Sequence, residues 1–154
     1  MADFKANTVQ IHIARIIDDH HQFLILKRSE KELIYPNLWQ TVTGTCRAEE
    51  TSITSALREV YEETALKPIK IWTIPYVASF FDTKRDRVSF IPVFGMLVDK
   101  KYNVILSDEH SDYQWLTYEQ ILKALPLPSH IEGTKYFKQF CLDNTNHHLY
   151  LYTV

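Results

Sequence analysis

A sheet covered by helices on both faces, an α+β or α/β sandwich, is the fold this sequence predicts. Three observations carry the prediction. Short period-two or apolar stretches recur between Thr8 and Leu116, a helical period sets in once from Thr51, and two further helical segments follow at Thr117 and Gly133. The chain has 154 residues, enough for one domain spanning 1–154 with a sizeable buried core.

The segment TVQIHIARII, Thr8 to Ile17, alternates Val9, Ile11 and Ile13 with Gln10, His12 and Ala14, which predicts a strand. The polar run from Asp18 to His21 makes a turn, and Phe23 to Lys27 returns as a short apolar strand. RSEKELIYPN is a loop closed by Pro36 and Asn37, after which WQTVT, Trp39 to Thr43, forms a strand ending at Gly44. From Thr51 the residues Ile53, Ala56, Leu57, Val60 and Thr64 recur at helical spacing, so a helix is expected over about 51–65, with Thr51 or Thr54 as its cap and Pro68 as its stop. Ile69 to Phe81 and Val88 to Val98 read as two strands joined by the charged turn DTKRDR. Tyr113 to Leu116 is a last short strand, Thr117 to Ala124 a short helix, and Gly133 to Leu142 a C-terminal helix.

Composition narrows the function. Lys plus Arg total 17 against 19 Asp plus Glu, a net charge of −2, which argues against polymeric nucleic acid as a partner. The longest nearly apolar stretch, Phe90 to Val98, is less than half a membrane span and contains Pro92 and Gly95, so no membrane partner is expected. The N-terminus lacks the pattern of a secretion signal, and a cytoplasmic protein is the expectation. Cys46 and Cys141 have no metal or redox spacing and read as reduced structural thiols. The pairs His20–His21 and His147–His148 lack a spaced third ligand and read as surface residues.

The informative element is the helix after Thr51. At about 100° per residue, Glu59, Glu62 and Glu63 fall on one face, bordering the apolar stripe rather than lying opposite it. Clustered like charges there raise one another's pKa and weaken the helix unless a cation offsets them. Hard oxygen donors at this density suit Mg²⁺, with Mn²⁺ as the substitute. Arg58 lies four residues before Glu62 and is placed to hold one of these acids.

Gly44 is followed at the sixth position by Glu50, and after seven further residues by Arg58-Glu59-Val60-Tyr61-Glu62-Glu63-Thr64-Ala65-Leu66. This segment, GTCRAEETSITSALREVYEETAL, resembles the Nudix box, matching it at Gly44, Glu50, Arg58, Glu59, Val60, Glu62, Glu63 and Leu66. It departs at Ala65, where the family usually has glycine, and at Glu49, where a glycine commonly precedes the first motif glutamate. Ala65 falls at the helix end, where glycine favours a left-handed cap.

The resemblance implies a Nudix-type sandwich and a pyrophosphohydrolase. Glu59, Glu62 and Glu63 are then expected metal ligands, with the Gly44 carbonyl as another and Glu50 supporting the metal or its waters. Arg58 joins Glu59 and Glu63 in the catalytic set, the general base being either of those two glutamates. EHSDYQWL, Glu109 to Leu116, resembles a Glu-His-x-x-Tyr-x-Trp-Leu segment of two Nudix groups, the dihydroneopterin triphosphate diphosphatases and the asymmetric diadenosine tetraphosphate hydrolases, and makes Glu109 a further ligand or base. LWQTVTGT resembles the lead-in to the box of the first group. Hence the expected partner is a small-molecule substrate, a pterin or purine nucleoside triphosphate, with a diadenosine polyphosphate or an oxidised nucleotide as rival. A non-catalytic nucleotide sensor is the alternative of another class. Arg28 matches an arginine of the same group and is assigned to substrate phosphates, Trp39 to the flat heterocycle and Gln40 to its ring edge. The resemblance also allows a homodimer.

Overall fold

The computed structural model describes residues 1–153. The order is β1 (Asp3–Lys5), β2 (Thr8–Ile17), β3 (His20–Arg28), β4 (Trp39–Gln40), β5 (Val42–Thr45), α1 (Ser52–Thr64), β6 (Pro68–Asp82), β7 (Arg87–Val98), β8 (His110–Leu116), α2 (Tyr118–Ala124) and α3 (Pro128–Tyr136). A π-helical extension of α3 runs over Phe137–Leu142, and a 3₁₀ turn over His147–Leu149. No helix among the described residues is long and apolar enough to cross a membrane.

All eight strands belong to one mixed sheet. β2 and β7 run parallel at its centre, with Gln10 opposite Val93 and Ala14 opposite Leu97. β3, β5 and β8 are added antiparallel, and β6 pairs with β7 along the long hairpin whose tip is the expected charged turn. Asp18 and Asp19 both take positive φ, so the β2–β3 connection is tighter than the four-residue turn expected from sequence. WQTVT is split at Thr41: β4 pairs with β3, whereas β5 pairs with β2. Among the three residues of β1 no side chain is buried, which is why that edge strand left no hydrophobic signal.

α1 covers one face. Ala56, Val60 and Leu66 pack with Val9, Ile11, Leu24, Leu26 and Val42 in one core cluster. Thr51 caps the helix by accepting from the Thr54 amide at 3.2 Å, a contribution of about 1 kcal/mol. The helix stops at Thr64, four residues before Pro68, because Ala65 turns into the left-handed region at φ 60° and its amide bonds back to the Tyr61 carbonyl at 2.8 Å.

The other face carries α2, α3 and the π-helical extension over Phe23, Ile25, Trp72 and Ile74, with Phe137 of the extension buried among them. Here alternation along β2 misleads, since Gln10 and His12 are as buried as the apolar residues between them. Gly133 explains the cover: a Cβ there would overlap His12 Nε2 and Gln10 Nε2, so only glycine lets α3 come this close.

Candidate active site

Arg28, Gly44, Glu59, Glu62, Glu63 and Glu109 come together around one open cleft of about 400 Å³, with Thr43, Thr45, Arg47 and Arg58 completing its wall. Four structural units supply it: the end of β3, β5 with the loop after it, α1, and the loop before β8. The loop is tied to the end of β3 by a Ser29 amide that donates to the Glu109 carbonyl at 2.8 Å. Gly44 sits where β5 meets α1, and a Cβ at that position would overlap the Glu59 side chain. The glycine is needed for close approach, since its φ is not positive.

Arg58 organises the acids. Its Nε and Nη2 donate to Glu50 Oε1 and Oε2 at 2.7 and 3.0 Å, and its Nη1 donates to Glu59 Oε1 at 2.7 Å and Glu62 Oε2 at 3.1 Å. A further bond to the Thr45 carbonyl at 3.1 Å ties helix to strand. The paired guanidinium, with a bond from the Arg47 amide, pulls the Glu50 pKa down to about 2, and Glu50 in turn raises the pKa of Arg58. Glu50 is thus occupied by Arg58 and does not line the cleft. Arg47 Nη2 donates to Glu62 Oε1 at 3.1 Å.

Glu63 is the unusual member. It is 3% exposed and its Oε2 has no hydrogen-bond partner. Burial first, then the charges of Glu59 and Glu109, push its pKa up to about 9. Glu59 is also raised, by desolvation, against the opposing pull of Arg58. Glu63, Glu109 and His110 each present a ligand atom within 4.8 Å of the other two. An orphaned buried carboxylate oxygen among acidic oxygens is the donor set a hard divalent cation satisfies.

Arg28 is held in place on the cleft rim by donating to the Ile34 carbonyl at 2.8 Å and to Glu32 at 3.2 Å. Neither Trp39 nor Gln40 lines this cleft. Trp39 packs against the core cluster beneath α2 and α3, and Gln40 Nε2 lies 3.1 Å from His110 Nε2, with both residues buried. His110, next to Glu109 in the chain, is therefore set behind the acids, with its pKa lowered to about 4 by burial and then by Arg28. Arg47 was missed by the sequence reading. Its position three residues past the box glycine, within the loop that must cross the site, was the available signal. Arg85 at the hairpin tip is ion-paired with Asp82 and lines none of this cleft.

A NUDIX domain family model matches residues 7–140 of the chain. The chain is 25% identical over 152 residues to the dihydroneopterin triphosphate diphosphatase of Haemophilus influenzae, covering 88% of this chain and 89% of that protein. A NUDIX hydrolase structure from Listeria monocytogenes superposes with TM-score 0.76 at 22% identity, covering 97% of this chain and 100% of that one. The Escherichia coli dihydroneopterin triphosphate pyrophosphohydrolase gives TM-score 0.65 at 21% identity, over 86% of this chain and 97% of the other.

Proposed function

We propose, for a chain that belongs to the NUDIX domain family and is a Nudix pyrophosphohydrolase, that the substrate is a pterin or purine nucleoside triphosphate, cleaved with Mg²⁺ to monophosphate and pyrophosphate. The observation that carries this reading is Glu63, a buried carboxylate with an unpartnered oxygen, gathered with Glu59, Glu62 and Glu109 among three arginines in one cleft.

Glu59 and Glu63 would hold the cation from the helix, with Glu62, Glu109 and the Gly44 carbonyl as the remaining donors. When bound, such a cation neutralises charge on the phosphate oxygens and makes a bound water more acidic. Arg28, fixed by the loop it closes, faces the cleft as a cation for the phosphate chain. Arg58 holds Glu59 Oε1 and Glu62 Oε2 in place, so these carboxylates are positioned before substrate arrives. Glu109, on the exposed loop opposite the helix, brings a further carboxylate to the cleft, and the proton of the attacking water goes to whichever of Glu59, Glu63 and Glu109 is left free of the cation. The similarity to the Haemophilus influenzae diphosphatase supports a pterin triphosphate, as does the resemblance of the LWQTVTG lead-in to that group of enzymes.

The test is pyrophosphate release by the purified protein with Mg²⁺ across dihydroneopterin triphosphate, the common and oxidised nucleoside triphosphates and diadenosine tetraphosphate, with Glu63→Gln as the blank. Release from a triphosphate well above the blank is the expected result. No release from any triphosphate, with Mn²⁺ also tried, overturns it.

A further inference from the structure

A second cavity, of about 380 Å³, lies on the side of β5 away from the acidic cleft. In the β2–β5 ladder Gln10 pairs with Thr43 and Val9 with Gly44. Val9 joins the core under α1, so Gln10 and Thr43 face the other way. Thr43 borders both the cleft and the cavity. Among the described residues β5 pairs only with β2, which leaves its outer edge open for a ligand to pass from one face to the other. Phe80, Ile91 and Leu127 make the cavity wall largely apolar, and its volume suits a fused ring.

One wall is polar, and its hydrogen-bonding sense is fixed. Gln10 Nε2 donates to the Ser129 carbonyl at 3.1 Å, a group that can only accept, so the amide has one orientation. The same nitrogen lies 2.8 Å from His12 Nε2, which therefore accepts and leaves the His12 proton on Nδ1, 3.3 Å from Thr134 Oγ1. Thr134 donates to the His130 carbonyl at 2.9 Å. The His130 ring accepts the Thr41 amide at Nδ1, 3.4 Å away, and burial keeps the imidazole neutral. Its one proton is then on Nε2, and His130 lines the cavity. Gln10, which lines it too, keeps an Oε1 with no partner.

We propose that this cavity takes the heterocycle of the substrate, and that His130 and Gln10 select a fused ring with a lactam edge, a carbonyl beside a ring N–H. The proposal rests on the reading that the acidic cleft takes the triphosphate. His130 Nε2–H offers a donor to the carbonyl, and Gln10 Oε1 an acceptor to the ring N–H. Oxopurines and pterins share that edge. Adenine presents its reverse, an amino group beside a bare ring nitrogen, and leaves both protein groups unpaired.

Calorimetric binding of the α,β-methylene analogues of GTP, ITP and ATP with Mg²⁺ tests this without requiring turnover. The GTP and ITP analogues are expected to bind at least about tenfold more tightly than the ATP analogue, the discrimination one good bidentate edge supplies. His130→Phe, which keeps a ring and removes the donor, is expected to erase that preference. Equal binding of all three by the unaltered protein overturns the proposal, as does a preference that survives in a folded His130→Phe. Should that variant not fold, the unaltered protein decides alone. Triphosphate hydrolysis without lactam preference contradicts this inference and leaves the pyrophosphohydrolase intact. Lactam preference without hydrolysis does the reverse.

Discussion

Arg58 grips Glu50 through two parallel hydrogen bonds, Nε to Oε1 at 2.7 Å and Nη2 to Oε2 at 3.0 Å. Through this pair the loop after β5 is fastened to the middle of α1, and the same guanidinium then reaches Glu59 and Glu62. Glu50 thereby acts on the site through Arg58.

Glu50→Gln should weaken this clamp while leaving the cleft acids in place. Because the Glu50 pKa falls from 4.5 to about 2 on folding, its contribution is complete above pH 4.5 and is lost as the pH drops toward 2. Urea unfolding at pH 7 should show the variant less stable than the parent, with the gap closing between pH 4.5 and the lowest pH at which the fold survives. A gap that stays constant through that range would refute the assignment.

Glu63 has the opposite sign. Its pKa rises from 4.5 to about 9 on folding, so the metal-free protein should lose stability as pH climbs between those values. A divalent cation reverses the loss by binding the ionised carboxylate. Melting curves at pH 6 and pH 8.5 should therefore show a larger stabilisation by Mg²⁺ at the higher pH. In Glu63→Gln, both the pH slope and the response to Mg²⁺ should shrink, with the metal-free melting temperature at pH 8.5 unchanged or higher.

The two departures from the family's glycines both fall on left-handed backbone, Glu49 at φ 68° and Ala65 at φ 60°. An L residue there costs about 1–2 kcal/mol against a relaxed conformation, and glycine relieves it at some cost in chain entropy. Ala65→Gly and Glu49→Gly should each stabilise the fold by up to about 1 kcal/mol, read as a rise of about 2–4 °C in melting temperature. Since neither side chain is a cleft donor, turnover should change little.

Gly44→Ala tests the approach of β5 to α1. The added Cβ would occupy the space of the Glu59 side chain and push that carboxylate from its place beside Arg58. A displacement of about 1 Å at a reacting centre costs about a hundredfold in rate, so steady-state turnover should fall by that order while circular dichroism stays near native.

The box helix was legible because its signal is local. Spacing alone puts Glu59, Glu62 and Glu63 on one face, Thr51 caps where a threonine can, and Ala65 ends the helix where the pattern expects glycine. Glu109 and Arg28 were legible only through resemblance, since nothing in their own neighbourhood says that the loop before β8 and the end of β3 meet at this cleft. Trp39 shows the limit of sequence proximity. Only four residues separate Trp39 from Gly44, but the break at Thr41 sends β4 to β3 and β5 to β2, carrying the indole to the opposite core. The alternation in β2 likewise could not reveal that Gly133, over a hundred residues later, brings α3 down onto Gln10 and His12.

The most direct test of the central claim is steady-state hydrolysis of a pterin or purine triphosphate with Mg²⁺ by Glu62→Gln and Glu63→Gln beside the parent protein. Metal-centred cleavage predicts that each variant, folded normally, loses at least about a hundredfold in turnover, the upper end for even an outer-shell partner of a metal. Turnover unchanged in both would contradict the assignment of these carboxylates to the metal site.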